Sequence, residues 1–196
     1  MIQLPLPGQE GAMSVEQAIA HRRSVRAYKD STLSERQIAQ LLFAAQGITD
    51  TSRGFRAAPS AGATYPLESY VVTKDGVFHY LPEDHALKTI KKGNYMRELG
   101  KAAMGQSYVS SAPVVVVLTA VPERTTDRYG ERGRLYVYVE AGHAAQNIHL
   151  QAVALGLGSV PVGAFEPDEV CEIVECGPKE TAIYLIPIGI PRDSKR

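Results

Sequence analysis

The stretch RLYVYVEAGHAAQNIHLQAVALGLGSVPVGAF, residues 134 to 165, decides which kind of fold the chain can adopt. Residues 134 to 155 read as its longest helix. The middle of that helix, AGHAAQN, is all small or polar, so another element can approach it closely. The glycines that follow, at 156, 158 and 163, invite a dinucleotide-fold reading. That reading fails, because their spacing is not the fingerprint's and they follow a helix where the fingerprint requires a strand. A helix cap leading into a short strand, SVPVGAF, is the better account. Its backbone N–H groups at Val162 and Gly163 are then available to a planar ligand.

Outward from this core, Ser14 and Gln17 form a capping box that opens a first helix ending near Arg22 or Arg23. A second helix opens near Thr32 or Ser34, turns Ile38, Leu41, Leu42 and Ala45 inward, and stops at Gly47. Residues 48 to 66 are rich in small and turn residues with no periodicity, and a loop that long is usually functional or disordered. SYVVT and VFHYL, joined through Lys74, Asp75 and Gly76, predict a hairpin. Helical segments are expected at 84–92 and 95–110. The β-branched run from Val114 to Leu118 predicts a buried strand. Pro167 suits the first turn of a helix that ends before Gly177, and AIYLIPIGI is the last strand. Helices and strands alternate irregularly around one hairpin, which predicts an α+β domain over residues 1–196 with a sheet of mixed strand directions.

Composition narrows the function. The chain has 196 residues, 44% hydrophobic and 21% charged, as expected of one globular domain. Lysine plus arginine number 21 and aspartate plus glutamate 21, so no global field draws in a nucleic acid. The longest apolar run, residues 112 to 121, is far short of the ~20 residues that span a bilayer. The N-terminus lacks a basic region followed by an apolar core. A cytoplasmic protein that binds neither nucleic acid nor membrane is expected. Cys171 and Cys176 fit neither a disulfide framework nor a zinc site and read as packed thiols. His143 and His149 fall on different faces of one helix and make no metal pair, so no metal site is expected.

Two local features remain. HRRSVRAYKD, residues 21 to 30, gathers Arg22, Arg23, Arg26 and Lys29 around Ser24. The cluster could simply complement the dipole at a helix C-terminus. It is also suited to a phosphate monoester, since guanidinium forks bind its oxygens bidentately and a serine hydroxyl adds a neutral donor. APSAGATYP, residues 58 to 66, removes side chains at Ala61, Gly62 and Ala63, so the backbone can lie flat against a ligand, or it is a flexible surface loop.

Four segments in this order, AIAHRRSVRAY, APSAGATYPLE, EAGHAAQNIHLQAVALGLGSVPVGAF and the terminal IPIGIP with basic residues after it, resemble the nitroreductase-like family of FMN-dependent oxidoreductases. The wording of PSAGATYPLE and EAGHAAQN is similar to the SagB-type dehydrogenase branch. The resemblance implies a central, mostly antiparallel mixed sheet flanked by helices, in an intertwined homodimer with FMN at the subunit interface. It implies that Arg22 and Ser24 bind the FMN phosphate, with Arg23 on the ribityl side and Arg26 at the pyrimidine edge. Pro59, Ser60, Ala61 and Gly62 then cross the ring from the other subunit, and the Gln106 amide meets the pyrimidine. Val160, Pro161, Val162 and Gly163 present backbone to the ring, and Lys195 and Arg196 return to the phosphate. Gly163 stands where nitroreductases proper often have glutamate, and Ala63 and Leu67 where they have asparagine and tryptophan. These departures bear on the nitroaromatic substrate range and not on the flavin site.

The implied activity passes hydride from NADH or NADPH through flavin N5 to a small nitro, quinone or similar acceptor, with ping-pong kinetics. It demands no protein acid or base, so no catalytic residue is assigned; Tyr65 is a candidate pocket residue. Two other functions fit the same residues. One is a SagB-type dehydrogenase oxidising azoline rings in a modified peptide. The other is a flavin-binding protein without turnover.

Overall fold

The structure, a computed structural model, describes residues 1–192. In chain order its strands are β1 (Ile2–Gln3), β2 (Ile48–Asp50), β3 (Phe55–Arg56), β4 (Leu67–Thr73), β5 (Gly76–Leu81), β6 (Ala86–Lys92), β7 (Val114–Ala120), β8 (Gly158–Ser159) and β9 (Thr181–Gly189). Its helices are α1 (Val15–His21), α2 (Glu35–Gln46), α3 (Met96–Ala102), α4 (Ser107–Ser110), α5 (Glu123–Tyr129), α6 (Arg132–Ala154) and α7 (Pro167–Val174).

Seven strands form one sheet in the order β1-β6-β5-β4-β7-β9-β8, with antiparallel ladders throughout. A single parallel bridge, Ser24 to Ser159, adds the mixed character. β7 is the central strand: every residue of VVVVLTA is buried, because its two faces serve two hydrophobic layers. Val114, Val116 and Leu118 pack with α2 and α6 on one side. Val115 and Val117 pack with α3 and α7 on the other. Each buried valine contributes roughly 1.5–3 kcal/mol of transfer free energy. This is the α+β architecture expected.

Ser14 and Ser34 both close capping boxes, with Gln17 and Gln37, so two helix starts lie where the local chemistry puts them. α6 crosses the sheet with Ala141, Ala144, Ala145 and Ile148 buried. The small residues therefore serve the core of this chain, where α2 packs against them.

Four expectations change. Residues 84–92 are not helical: from Ala86 the chain pairs with β5 as β6, and β1 covers its other edge. The reversal is made at His85, which adopts φ 45°. Its ring contacts the Tyr80 hydroxyl at 2.9 Å and the Pro5 carbonyl at 2.9 Å. Pairing on two edges overrides the weak helical propensity of ALKTIKK. Residues 95–110 break into α3 and α4, because Met104 and Gly105 both take positive φ. The 48–66 loop contains a hairpin of β2 and β3, turned by the Asp50 carboxylate, which accepts from the Ser52 and Arg53 N–H groups. Finally, Cys171 and Cys176 are joined in a disulfide, with Cα atoms 4.8 Å apart. Glu175 turns left-handed at the end of α7, and the Cys176 N–H bonds the Cys171 carbonyl, so a spacing of five becomes a contact.

Candidate functional site

The basic cluster begins where α1 stops. Arg22 is the C-cap residue, and its Nη1 lies 3.3 Å from Nε2 of His149 on α6. His149 Nδ1 in turn lies 2.6 Å from the Ser159 hydroxyl on β8. The main chain of β8 holds the same cluster, since Val25 N–H donates to the Ser159 carbonyl at 3.0 Å and Ser24 bridges Ser159. Gly158 is required here: a Cβ would stand 2.6 Å from that of Val25. Ser24 and Arg26 face solvent. Arg23 partly follows the helix-terminus reading, because its Nη1 donates to the Ala20 and Arg22 carbonyls.

Arg26 extends the cluster sideways. Its guanidinium lies 5.7 Å from the centre of the Tyr108 ring. The Tyr108 hydroxyl donates to Gln106 Oε1, and Gln106 Nε2 donates to the Ala103 and Ala164 carbonyls at 2.8 Å each. Both amide hydrogens of Gln106 are thus committed within the chain, and Oε1, already accepting from Tyr108, keeps one lone pair for a ligand. Val162 also differs from expectation: its N–H donates to the Leu185 carbonyl at 2.8 Å and is spent in the sheet. The strand expected over SVPVGAF is shorter, β8 being Gly158–Ser159 with an isolated bridge at Val162, and Gly163 and Ala164 are exposed residues of the segment that follows. A Cβ on Gly163 would meet only the Tyr184 ring, at 3.9 Å, so a flat group can approach there.

The 59–65 loop is anchored elsewhere. Gly62, Ala63 and Tyr65 all have positive φ, which concentrates strain in a short span. Arg128 Nη1 donates to the Gly62 carbonyl at 3.0 Å, and a Cβ on Gly62 would lie 2.5 Å from the Tyr129 hydroxyl. The Tyr65 N–H donates to Ser60 Oγ at 2.9 Å, and the Ser60 side chain faces Glu140. His143 Nδ1 lies 3.2 Å from the Pro59 carbonyl. Tyr65 itself is tied down: its ring lies under the Arg56 guanidinium, and its hydroxyl accepts from the Arg56 N–H.

One chain therefore brings Arg22, Ser24, Arg26, Gln106 and the 160–163 segment together along a single edge. It keeps Pro59, Ser60, Ala61 and Gly62 apart from them. The two groups are fastened to α6 through His149 and His143, which stand about 9 Å apart along the axis and about 120° apart around it. Lys195 and Arg196 lie outside the described residues. A cleft of about 1010 Å³ between the 26–33 segment and the sheet shares only Arg26 with these residues, so it is a separate feature.

Sequence reasoning missed His149, Ser159, Glu140 and Tyr108. The signal for Glu140 and His149 is their position on the buried face of α6, at helical spacing from Ala141, Ala144, Ala145 and Ala152. A polar group on such a face needs a partner. Burial, and then the Arg22 charge, lower the His149 pKa to about 4, and burial raises that of Glu140 to about 7.

The model of the nitroreductase family matches residues 19–190. The chain belongs to the nitroreductase family. A protein of Methanocaldococcus jannaschii that carries a nitroreductase name is 45% identical over 194 residues, covering 96% of each chain. The microcin B17-processing protein McbC of Escherichia coli is 29% identical over 136 residues, 64% of this chain and 50% of McbC. A crystal structure of a nitroreductase from Ralstonia eutropha superposes with a TM-score of 0.88 at 25% identity, over 98% of this chain and 90% of that one. The chain is accordingly an oxidoreductase of nitroreductase fold. No helix among its described residues is long and apolar enough to cross a membrane.

Proposed function

We propose that this nitroreductase-family protein binds FMN between two copies of the chain. There it carries hydride equivalents from NADH or NADPH to a small oxidised acceptor such as a nitro compound or quinone, with ping-pong kinetics. The observation that carries the reading is the shared edge of Arg22, Ser24, Arg26 and the 160–163 segment. The residues fit the group: a half-buried guanidinium and an exposed hydroxyl suit a phosphate, and the bare backbone at Gly163 suits a flat ring. Bound FMN would supply the two-electron chemistry. The chain's own task is to bind and orient. Arg22 and Ser24 hold the phosphate, and Arg23 has donors left for the ribityl side. Arg26 places positive charge at the pyrimidine edge, where it stabilises negative charge as that develops. Lys195 and Arg196 belong to the same reading as further phosphate contacts, as does a cytoplasmic location.

The purified protein is expected to be yellow and to release FMN, not FAD, on acid treatment. NADH or NADPH should bleach it under anaerobic conditions. FAD, or no flavin after incubation with excess FMN, would contradict the assignment, and flavin that neither nucleotide bleaches would leave only a binding protein. McbC similarity favours a second reading, a dehydrogenase oxidising azoline rings in a modified peptide; the chain spans half of McbC. Oxidation of an azoline peptide without nitro or quinone reductase turnover would establish it.

The separation of the 59–62 loop from the Arg22 cluster supports a site shared between two copies. α6 also carries an exposed stripe, Leu135, Tyr138, Val139, Gly142 and Gln146, at helical spacing. Val15 and Ile19 of α1 add exposed apolar surface, and a face of this kind is the mark of an interface. Co-expressing Arg22→Ala with Gly62→Trp tests the arrangement. Mixed dimers should hold one site with both lesions and one with neither, and so recover one flavin per dimer. A flavin-loaded monomer, or mixed dimers without flavin, would refute it.

A further inference from the structure

We infer that His149, fixed by Ser159, positions the Arg22 guanidinium for the phosphate of the bound nucleotide. The inference rests on the FMN reading above and deepens it. His149 is 2% exposed and Ser159 1% exposed, so neither can touch a ligand directly. Their geometry dictates one hydrogen-bonding direction. A guanidinium has donors and no acceptor, so His149 Nε2 must accept from Arg22 Nη1 across 3.3 Å. Nε2 then carries no proton, and the neutral ring bears its hydrogen on Nδ1. That hydrogen points at Ser159 Oγ, 2.6 Å away.

The donor-only arginine thereby selects the tautomer, and Ser159 Oγ, which can donate or accept, takes up the Nδ1 hydrogen and fixes the ring plane. A protonated ring would remove the acceptor and place a second cation against Arg22. Burial and the Arg22 charge both resist this protonation. Ser159 acts twice on the same cradle. Its side chain orients His149 and, through it, Arg22. Its carbonyl accepts from Val25 N–H, between Ser24 and Arg26. The two ends of RRSVR are registered against one residue of β8. An arginine held this way keeps one edge on His149 and presents its remaining donors in a fixed direction. Less rotamer freedom is then lost when the phosphate arrives.

The alternative is a buried His–Ser pair that merely fills space, and phosphate selectivity separates the two. Flavin-free protein is titrated with FMN and with riboflavin, following flavin fluorescence, and the ratio of the two dissociation constants is taken as phosphate selectivity. His149→Leu should lower that ratio roughly tenfold while leaving riboflavin affinity unchanged. His149→Gln, which restores an acceptor, should recover most of it. With Arg22→Ala already present, His149→Leu should change the ratio less than about twofold, because the two act through one contact. Wild-type selectivity in His149→Leu, or its full effect in the Arg22→Ala background, would overturn the inference. Should His149→Leu not fold, Ser159→Ala takes its place: reduced selectivity supports positioning, and wild-type selectivity refutes it. Equal affinity of the wild-type protein for FMN and riboflavin would instead defeat the phosphate reading, and the inference with it.

Discussion

Arg22→Ala is expected to weaken FMN binding roughly tenfold to over a hundredfold, the ~1.5–3 kcal/mol lost with a charge-assisted bond to phosphate. The magnitude follows from where the side chain sits. Arg22 is half-buried at the end of α1 and braced by His149, so solvent screens it less than the exposed Arg23 and Arg26. The structural cost of the substitution should be small. The cap bond from Arg22 N–H to the Ala18 carbonyl is made by the backbone and survives in alanine. Arg36→Ala is the control, being an exposed arginine of α2 outside the cluster. Titration of flavin-free protein at fixed ionic strength measures both. If Arg22→Ala bound FMN as tightly as wild type, the phosphate would have to lie elsewhere. If Arg36→Ala lost as much, the effect would be one of general charge.

The parts of the fold legible in the sequence are those that local chemistry determines. Ser14 and Ser34 open helices because each finds a glutamine three residues on, and the unbroken valines of β7 can only be a strand buried on both faces. β6 was illegible for the complementary reason. ALKTIKK has no strong period of its own and becomes a strand through partners at Ile2, Tyr80 and Leu81 that lie elsewhere in the chain. The Cys171–Cys176 bond depends on one left-handed residue, Glu175, with no glycine to signal it. The candidate site divides in the same way. Arg22, Ser24 and Arg26 are contiguous and could be read as a group. Their supports, His149 and Ser159, are brought to them only by packing of α1 on α6 and the bridge to β8. The commitment of the Val162 N–H to Leu185 likewise required the register of β9.

Glu140→Gln is expected to give no gain in stability at acid pH and a clear gain at alkaline pH. Glu140 is 2% exposed on α6, beneath the 59–65 loop, and its Oε1 has no hydrogen-bond partner among the described residues. Burial raises its pKa from 4.5 to about 7, against the smaller opposing effects of the Ser60 hydroxyl and the Arg56 charge. Between those two values the folded chain keeps a proton that the unfolded chain has released. The stabilisation is therefore fully present below the unfolded pKa and is lost as pH rises through the folded one. The shift corresponds to a loss on the order of 3 kcal/mol by pH 8. Glutamine keeps an acceptor for Ser60 and has no charge to bury, so its contribution does not change with pH. His149 and other groups also titrate in this range, but they are common to both proteins and cancel in the difference. Urea unfolding of flavin-free wild type and Glu140→Gln, at equal protein concentration and at pH 5 and pH 8, gives that difference directly. The glutamine variant should be no more stable than wild type at pH 5 and clearly more stable at pH 8. An offset equal at the two pH values would mean that Glu140 is already ionised in the folded protein. Its second oxygen would then have to find a partner as the loop between Ser60 and Tyr65 rearranged.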